Sequence, residues 1–197
     1  MLEVELKSVV EDLERRRAAI EAAGATLVFS GRLEDRRYDT ADRSLTAADE
    51  VLRVRTYRDA HGSRAELDWK GRTRREDGYK LREELETEVA DGDMLATILD
   101  KLGYVVTIAI DREIVQYDLA GTMIRFERYP RMDTLIEVEG SPEQIEATID
   151  TLGMPREGFT SERLVDFAAR FETRTGTRAA LSYASLANDS GFDPINA

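Results

Sequence analysis

The chain of 197 residues carries 28 basic and 40 acidic side chains, which give it a formal net charge of −12 at pH 7. Apolar residues make up 42% of the sequence, enough for one domain with a substantial core, although the charged fraction of 35% is high. The negative charge argues against general binding to nucleic acids or anionic membranes, and the absence of cysteine excludes disulfides, thiolate metal ligands and cysteine nucleophiles. No apolar run reaches transmembrane length and no signal-peptide pattern precedes the first strand, so we expect a cytoplasmic protein.

The first half of the chain predicts one helix among several strands. Charged and apolar residues alternate over residues 2–8, as in a strand with two different faces. Residues 9–23 have the apolar spacing of a helix, which Gly24 would end. Turn signals such as Asp77-Gly78 separate five further predicted strands. These strands cover residues 26–33, 36–40, 50–57, 65–71 and 80–89.

The second half predicts more strands, and helices near the C-terminus. Ser141, Pro142 and Gln144 have the spacing of a capped helix start. Longer helices are predicted over residues 91–103 and about 160–172, with a short one over residues 179–186. The predicted strands of this half cover residues 104–117, 123–129 and 134–139.

Strands outnumber helices, so the sequence predicts an α+β protein. We expect one domain over residues 1–173 and a C-terminal tail, in part disordered, over residues 174–197, where Ala, Ser, Asn, Asp and Gly predominate.

Several predicted strands carry charge on one face. In the first strand Glu3, Glu5 and Lys7 share a face, because successive strand side chains point to opposite sides. One such strand is typical of a sheet with a solvated face. The recurrence of Glu and Arg instead favours a barrel with the charged faces inward and helices covering the apolar outside. The recurring residues are Arg53, Arg55, Arg82, Glu84, Glu86, Glu137 and Glu139.

These strands resemble a known family. Glu3-x-Glu5-x-Lys7 is similar to the ExExK signature of the CYTH, or triphosphate tunnel metalloenzyme, superfamily, which includes class IV adenylyl cyclases, thiamine triphosphatases and inorganic tripolyphosphatases. Later motifs follow in the family's order over roughly residues 1–170. They are the D-x-Y-x-D-T-like segment 35–40, the LRxR strand 52–55, the aromatic-Lys-Gly at 69–71, the RxExE at 82–86, and Phe126-Glu127 followed by Ile136-Glu137-Val138-Glu139.

The resemblance implies an eight-stranded antiparallel β-barrel with flanking helices, which binds a triphosphate in its lumen together with one or two Mg²⁺ or Mn²⁺ ions. It implies two sets of side chains. The metal-side candidates are Glu3, Glu5, Glu84, Glu86, Glu127, Glu137 and Glu139. The phosphate-binding candidates are Lys7, Arg53, Arg55, Lys70, Arg82, Arg112 and Arg125.

The chain departs from the family pattern at three places, one of which is the turn before the last strand, where Pro130-Arg131-Met132-Asp133 replaces a glycine-bracketed turn. The usual K-x-R is Arg112-Glu113-Ile114 here, and a guanidinium stays protonated, so Arg112 would not act as a base. Arg125, on the same face as Glu127, would supply the cation lost at Ile114. Arg37 occupies the position of the first Tyr in the family's D-x-Y-x-D-T segment.

The leading hypothesis for function is a class IV adenylyl cyclase, which converts ATP to cyclic AMP and pyrophosphate. Glu5, Glu139 and Arg112 are its catalytic candidates, with Glu5 and Glu139 assisting deprotonation of the ribose hydroxyl. The enzymatic alternative is a triphosphatase acting on tripolyphosphate or thiamine triphosphate. A non-catalytic module that binds polyphosphate or nucleotide, and a purely structural barrel, are the alternatives of other classes. We expect a small triphosphate as ligand, no nucleic acid and no membrane, and leave a homodimer open.

Overall fold

The protein forms a closed antiparallel barrel in a computed structural model, which describes residues 2–188, with side chains from residue 4. Eight strands form the barrel in the order β1-β9-β8-β7-β2-β3-β4-β6, and pairing of β1 with β6 closes it. A short ninth strand, β5, continues β4 along the same edge of β6. The predicted fold is therefore confirmed. The strands are β1 (Leu2–Val9), β2 (Thr26–Thr40), β3 (Val51–Asp59), β4 (Gly62–Lys70), β5 (Arg74–Glu76), β6 (Tyr79–Val89), β7 (Tyr104–Leu119), β8 (Thr122–Arg128) and β9 (Leu135–Glu139).

Helices lie on the outside of this barrel. None of those within residues 2–188 is long and apolar enough to cross a membrane. A single turn of 3₁₀-helix at Arg156–Gly158 follows α4. The α-helices are α1 (Leu13–Ala22), α2 (Ser44–Ala47), α3 (Gly92–Lys101), α4 (Pro142–Leu152), α5 (Leu164–Thr175) and α6 (Tyr183–Ala187).

Several element boundaries differ from the sequence prediction; the short helix predicted over 179–186, for example, begins only at Tyr183. The two strands predicted over 26–33 and 36–40 are one strand, because β2 pairs with β7 along almost its whole length. The first helix begins at Leu13 and not at residue 9, because Val9 still pairs with Leu135 in the barrel. Helix α5 begins four residues later than predicted, because Thr160 forms a backbone bridge with Lys7.

The hydrophobic core lies between the barrel and its outer helices. Leu6 and Val138 point outward from β1 and β9, where they pack against Ile145 and Ile149 of α4. All four are at most 1% exposed. Ser141 and Gln144 form the predicted capping box at the start of α4. The apolar strand faces are thus buried outside, and this places the charged faces in the lumen.

The chain after α5 packs on the same barrel. Ala180 pairs with Arg131, and the carbonyl oxygen of Leu181 accepts a hydrogen bond from the Asp111 backbone N–H at 2.8 Å. Ala179 and Ala180 are fully buried. The boundary between a domain over 1–173 and a tail stays a prediction, and residues 189–197 lie outside the described residues.

We expect Gly31→Ala to destabilise the barrel. A Cβ atom at Gly31 would lie 2.3 Å from the carbonyl oxygen of Arg58 in the neighbouring strand, so the backbone has to shift. Overpacking of this kind costs about 1–3 kcal/mol of unfolding free energy, which urea denaturation would measure. Ser30→Ala is the matched control, because the adjacent Ser30 is exposed. Equal stability of both variants would contradict this reading of the β2–β3 contact.

Candidate active site

The barrel encloses a cavity of about 490 Å³ that is lined mainly by charged side chains. Acidic and basic residues line it in nearly equal number, although the whole chain is strongly acidic. Apart from Glu3, whose side chain lies outside the described residues, every site residue predicted from the sequence lines this cavity. These residues are Glu5, Lys7, Arg53, Arg55, Lys70, Arg82, Glu84, Glu86, Arg112, Arg125, Glu127, Glu137 and Glu139.

One wall of the lumen, formed by the adjacent strands β1, β9 and β8, is rich in carboxylates. The Lys7 ammonium lies between two of them, with its Nζ 2.6 Å from Glu5 Oε2 and 3.2 Å from Glu137 Oε1. Lys80 of β6 also contacts Glu5. Glu139 is paired with Glu5 in the strand register. We call Glu5, Glu127, Glu137 and Glu139 the carboxylate wall.

Burial of these carboxylates separates their pKa values. Burial would raise the pKa of Glu5, but Lys7 and Lys80 together lower it well below its ordinary value. Burial, reinforced by the negative charge of Glu5, raises the pKa of Glu137 despite the opposing effect of Lys7. Two buried carboxylates in contact therefore share too little positive charge for both to ionise readily. A divalent cation would fit this donor set, because hard cations prefer carboxylate oxygens.

The carboxylates do not form a ready-made metal cluster. Across the described part of the chain, no three Asp, Glu, His or Cys side chains converge in a geometry that could hold a cation. Ion pairs hold them instead. Arg125 Nη1 lies 3.4 Å from Glu137 Oε2, and Arg112 Nε lies 2.9 Å from Glu127 Oε1. A divalent cation could bind these carboxylates only if Arg112 and Arg125 moved to another anion.

A buried aspartate ties together the guanidiniums on the other side of the lumen. Asp35 of β2 is 1% exposed and accepts hydrogen bonds from Arg112 at 3.0 Å, Arg55 at 3.2 Å and Arg53 at 3.3 Å. Burial would raise the pKa of Asp35, but these three cations lower it well below the usual range. Arg53 also forms an ion pair with the fully buried Asp68 at 2.9 Å.

Three residues that contact the predicted site residues were not themselves predicted as site residues: Asp35, Asp68 and Lys80. Asp35 is the first residue of the D-x-Y-x-D-T-like segment, so the motif could have identified it as a site residue. Asp68 and Lys80 lie two residues from Lys70 and Arg82, and strand alternation alone would have placed them on the lumen face.

Arg112 keeps its positive charge. Burial alone would lower its pKa, but Asp35 and Glu127 raise it above the ordinary arginine value. Tyr129 donates a 2.6 Å hydrogen bond to the other oxygen of Glu127 and so fixes that carboxylate. This geometry is consistent with a cation that binds anions and is unsuited to a general base.

Arg82 has a different environment from the other predicted phosphate ligands. Its guanidinium donates to the carbonyl oxygens of Gly71 at 2.6 Å and Asp49 at 2.8 Å. Arg82 therefore fixes the β2–β3 and β4–β5 connections. Lys70 and Glu84 form an ion pair at 3.1 Å, whereas Glu86 is exposed.

A closed antiparallel barrel with an acid- and base-lined lumen defines a class of charged-tunnel proteins. A family model described as the CYTH domain matches residues 1–150, and the chain belongs to that family. The family resemblance of the sequence motifs is thus confirmed. No curated protein matches the chain.

Solved structures share this fold. A Vibrio parahaemolyticus protein, described as a candidate adenylate cyclase, is 17% identical, with a TM-score of 0.73 over 86% of this chain and 98% of that one. The PH1819 protein of Pyrococcus horikoshii is 23% identical, with a TM-score of 0.68 over 85% of this chain and 98% of its own. A candidate adenylyl cyclase from Hippeastrum, reported to have a dominant triphosphatase activity, is 18% identical. Its TM-score is 0.61 over 92% of this chain and 98% of that one. At these identities the likeness shows the fold.

We expect Asp35→Asn to destabilise the protein by about 3–5 kcal/mol, because it removes the negative charge that three buried guanidiniums share. Urea denaturation measures the loss, with the exposed Asp100→Asn as control.

We expect the difference in stability between wild type and Asp35→Asn to depend on pH. The native pKa of Asp35 is depressed, so its stabilising contribution is present above the ordinary aspartate pKa of 3.8 and is lost as the pH falls towards the native value. The stability difference between wild type and variant should therefore shrink in acid. A stability difference that stayed constant down to pH 2 would contradict a depressed native pKa of Asp35.

Proposed function

We propose that the protein is a divalent-metal-dependent enzyme that cleaves a triphosphate bound in the barrel lumen. The observation that carries this proposal is the arrangement of charge in the cavity. Four carboxylates, the carboxylate wall, lie on the adjacent strands β1, β9 and β8, whereas Arg53, Arg55 and Lys70 lie on β3 and β4 across the lumen. Carboxylates and bases that line one lumen suit a ligand that consists of a polyanion and a cation together.

The ligand would exchange partners with the lumen. Glu5, Glu127, Glu137 and Glu139 would hold Mg²⁺ or Mn²⁺, which supplies polarisation of phosphate oxygens and neutralises charge that develops as the bond breaks. Lys7 and Arg125, now paired with Glu137, would become available for phosphate oxygens. The total charge of the cavity would then remain balanced, which keeps the cost of binding a highly charged ligand low.

Cyclisation of ATP is the leading reaction within this proposal. In it the ribose 3′-hydroxyl attacks the α-phosphate and pyrophosphate leaves, while the lumen bases bind the phosphate chain. Glu5 and Glu139 stay the candidates for assisting loss of the hydroxyl proton. The permanent charge of Arg112 supports this order of preference, because the triphosphatase reaction needs a group that activates water.

Hydrolysis of a triphosphate is the second candidate. The dominant triphosphatase activity reported for the Hippeastrum protein of the same fold favours it. ³¹P NMR of the protein incubated with ATP and Mn²⁺ at mildly alkaline pH separates the two reactions. Pyrophosphate with a cyclic phosphodiester identifies the cyclase, and ADP with orthophosphate identifies the hydrolase. Intact ATP and intact tripolyphosphate after equal incubation would refute catalysis at this site.

We expect Glu139→Gln to lower turnover about a hundredfold, because the amide keeps the shape of the side chain but removes an anionic oxygen from the carboxylate wall. The thermal unfolding midpoint should change little, since Glu139 is not fully buried. Glu83→Gln is the matched control, because Glu83 is an exposed carboxylate on the outer face of β6. Full turnover by Glu139→Gln would contradict a role for this wall in the reaction.

A further inference from the structure

Arg37 is a lumen residue for which neither the fold nor the proposed chemistry yet gives a role. It follows Asp35 by two residues in β2, so both side chains face the cavity. Asp39 lies two residues further along β2, accepts a hydrogen bond from Thr46 and also lines the cavity, and β2 ends at Thr40. Arg37 therefore lies near a mouth of the tunnel.

The other cations of the lumen are already engaged. Lys7, Arg53, Arg55, Arg112 and Arg125 each lie within 3.4 Å of a carboxylate oxygen. In the part of the chain that the structure describes, the Arg37 guanidinium makes no hydrogen bond or ion pair. Its Nε is buried without an acceptor. A buried N–H donor without an acceptor costs free energy, and this one belongs to a charged group.

The surroundings of Arg37 add to this cost. Burial lowers its pKa to about 10, and the positive charges of Arg53, Arg82 and Arg112 contribute to the decrease. Asp35 attracts it, but that carboxylate already accepts from three other arginines. Arg37 stays protonated at neutral pH, so the tunnel retains a positive charge without a hydrogen-bond partner.

We propose that Arg37 is a specificity-determining residue that binds an anionic phosphate group of the ligand at this mouth of the tunnel, and that it does so without a divalent metal. The proposal rests on the proposed function, because it assumes that a triphosphate enters the lumen. The paired bases can bind phosphate only after their carboxylates have found another cation. Arg37 has no such partner to leave, so its contribution does not depend on metal.

The identity of residue 37 decides whether this contact can form. The motif that contains Arg37 resembles a family segment with Tyr at this position. A phenol cannot supply a permanent positive charge, whereas a guanidinium can donate two parallel hydrogen bonds to a phosphate. Metal-free affinity for a phosphate chain is therefore expected to depend on the residue at position 37.

Calorimetric titration of the full chain with inorganic tripolyphosphate, in EDTA and separately with excess Mg²⁺, tests the proposal. In EDTA, Arg37→Met should weaken binding about tenfold or more, since charge-assisted hydrogen bonds are lost. Arg37→Lys should recover part of the affinity, and Arg37→Tyr should not. Arg58→Met is the matched control, because Arg58 is an exposed arginine on the outer face of β3.

The outcomes separate this proposal from the proposed function. Equal metal-free affinity of wild type and Arg37→Met would overturn the role of Arg37 and leave the tunnel assignment intact. Wild-type binding that requires Mg²⁺ would overturn the metal-independent contact alone. No binding of tripolyphosphate or ATP under either condition would overturn both proposals. Should Arg37→Met fail to fold, Arg37→Tyr and Arg37→Lys carry the comparison, with thermal unfolding as the check.

Discussion

The need to pair charges inside a closed barrel shapes the rest of this structure. Asp35 shows the constraint most directly, because one fully enclosed carboxylate holds Arg53, Arg55 and Arg112 from two other strands. An uncompensated ion in such a place would cost several kcal/mol, so each charge fixes the position of the next. The result is a lumen whose side chains are ordered by their partners before any ligand enters.

That order also explains how a highly charged interior can be stable. The carboxylate wall and its bases neutralise each other, so the barrel does not depend on a ligand for its charge balance. A polyanion that binds together with a cation would give the bases a new anionic partner and the carboxylates a new cationic one. The pairs that stabilise the tunnel are thus the groups that a metal–triphosphate complex would contact, and Arg37 is the exception that needs no exchange.

Much of this arrangement could be predicted from the sequence, for identifiable reasons. Strand alternation placed Glu5, Arg55 and Glu137 on inward faces, and recurrent motifs identified the family. Alternation gives the face of a side chain but not its partner, so neither the hub at Asp35 nor the pairing of Arg53 with Asp68 followed from it. Arg82 illustrates the same limit, since its acceptors are backbone carbonyls whose positions depend on the folded connections.

Closure of the barrel through β1 has a consequence for folding. The N-terminal strand of the barrel, β1, pairs with β6 and β9, and Lys7 contacts Glu137, which lies 130 residues away in the sequence. Such non-local pairing slows folding, because a long loop must close before its contacts form. Until then β1 is an unpaired strand, and strands of that kind tend to join other chains unless charges discourage it. The alternating charges at Glu5 and Lys7, which later line the lumen, would meanwhile protect the nascent strand from aggregation.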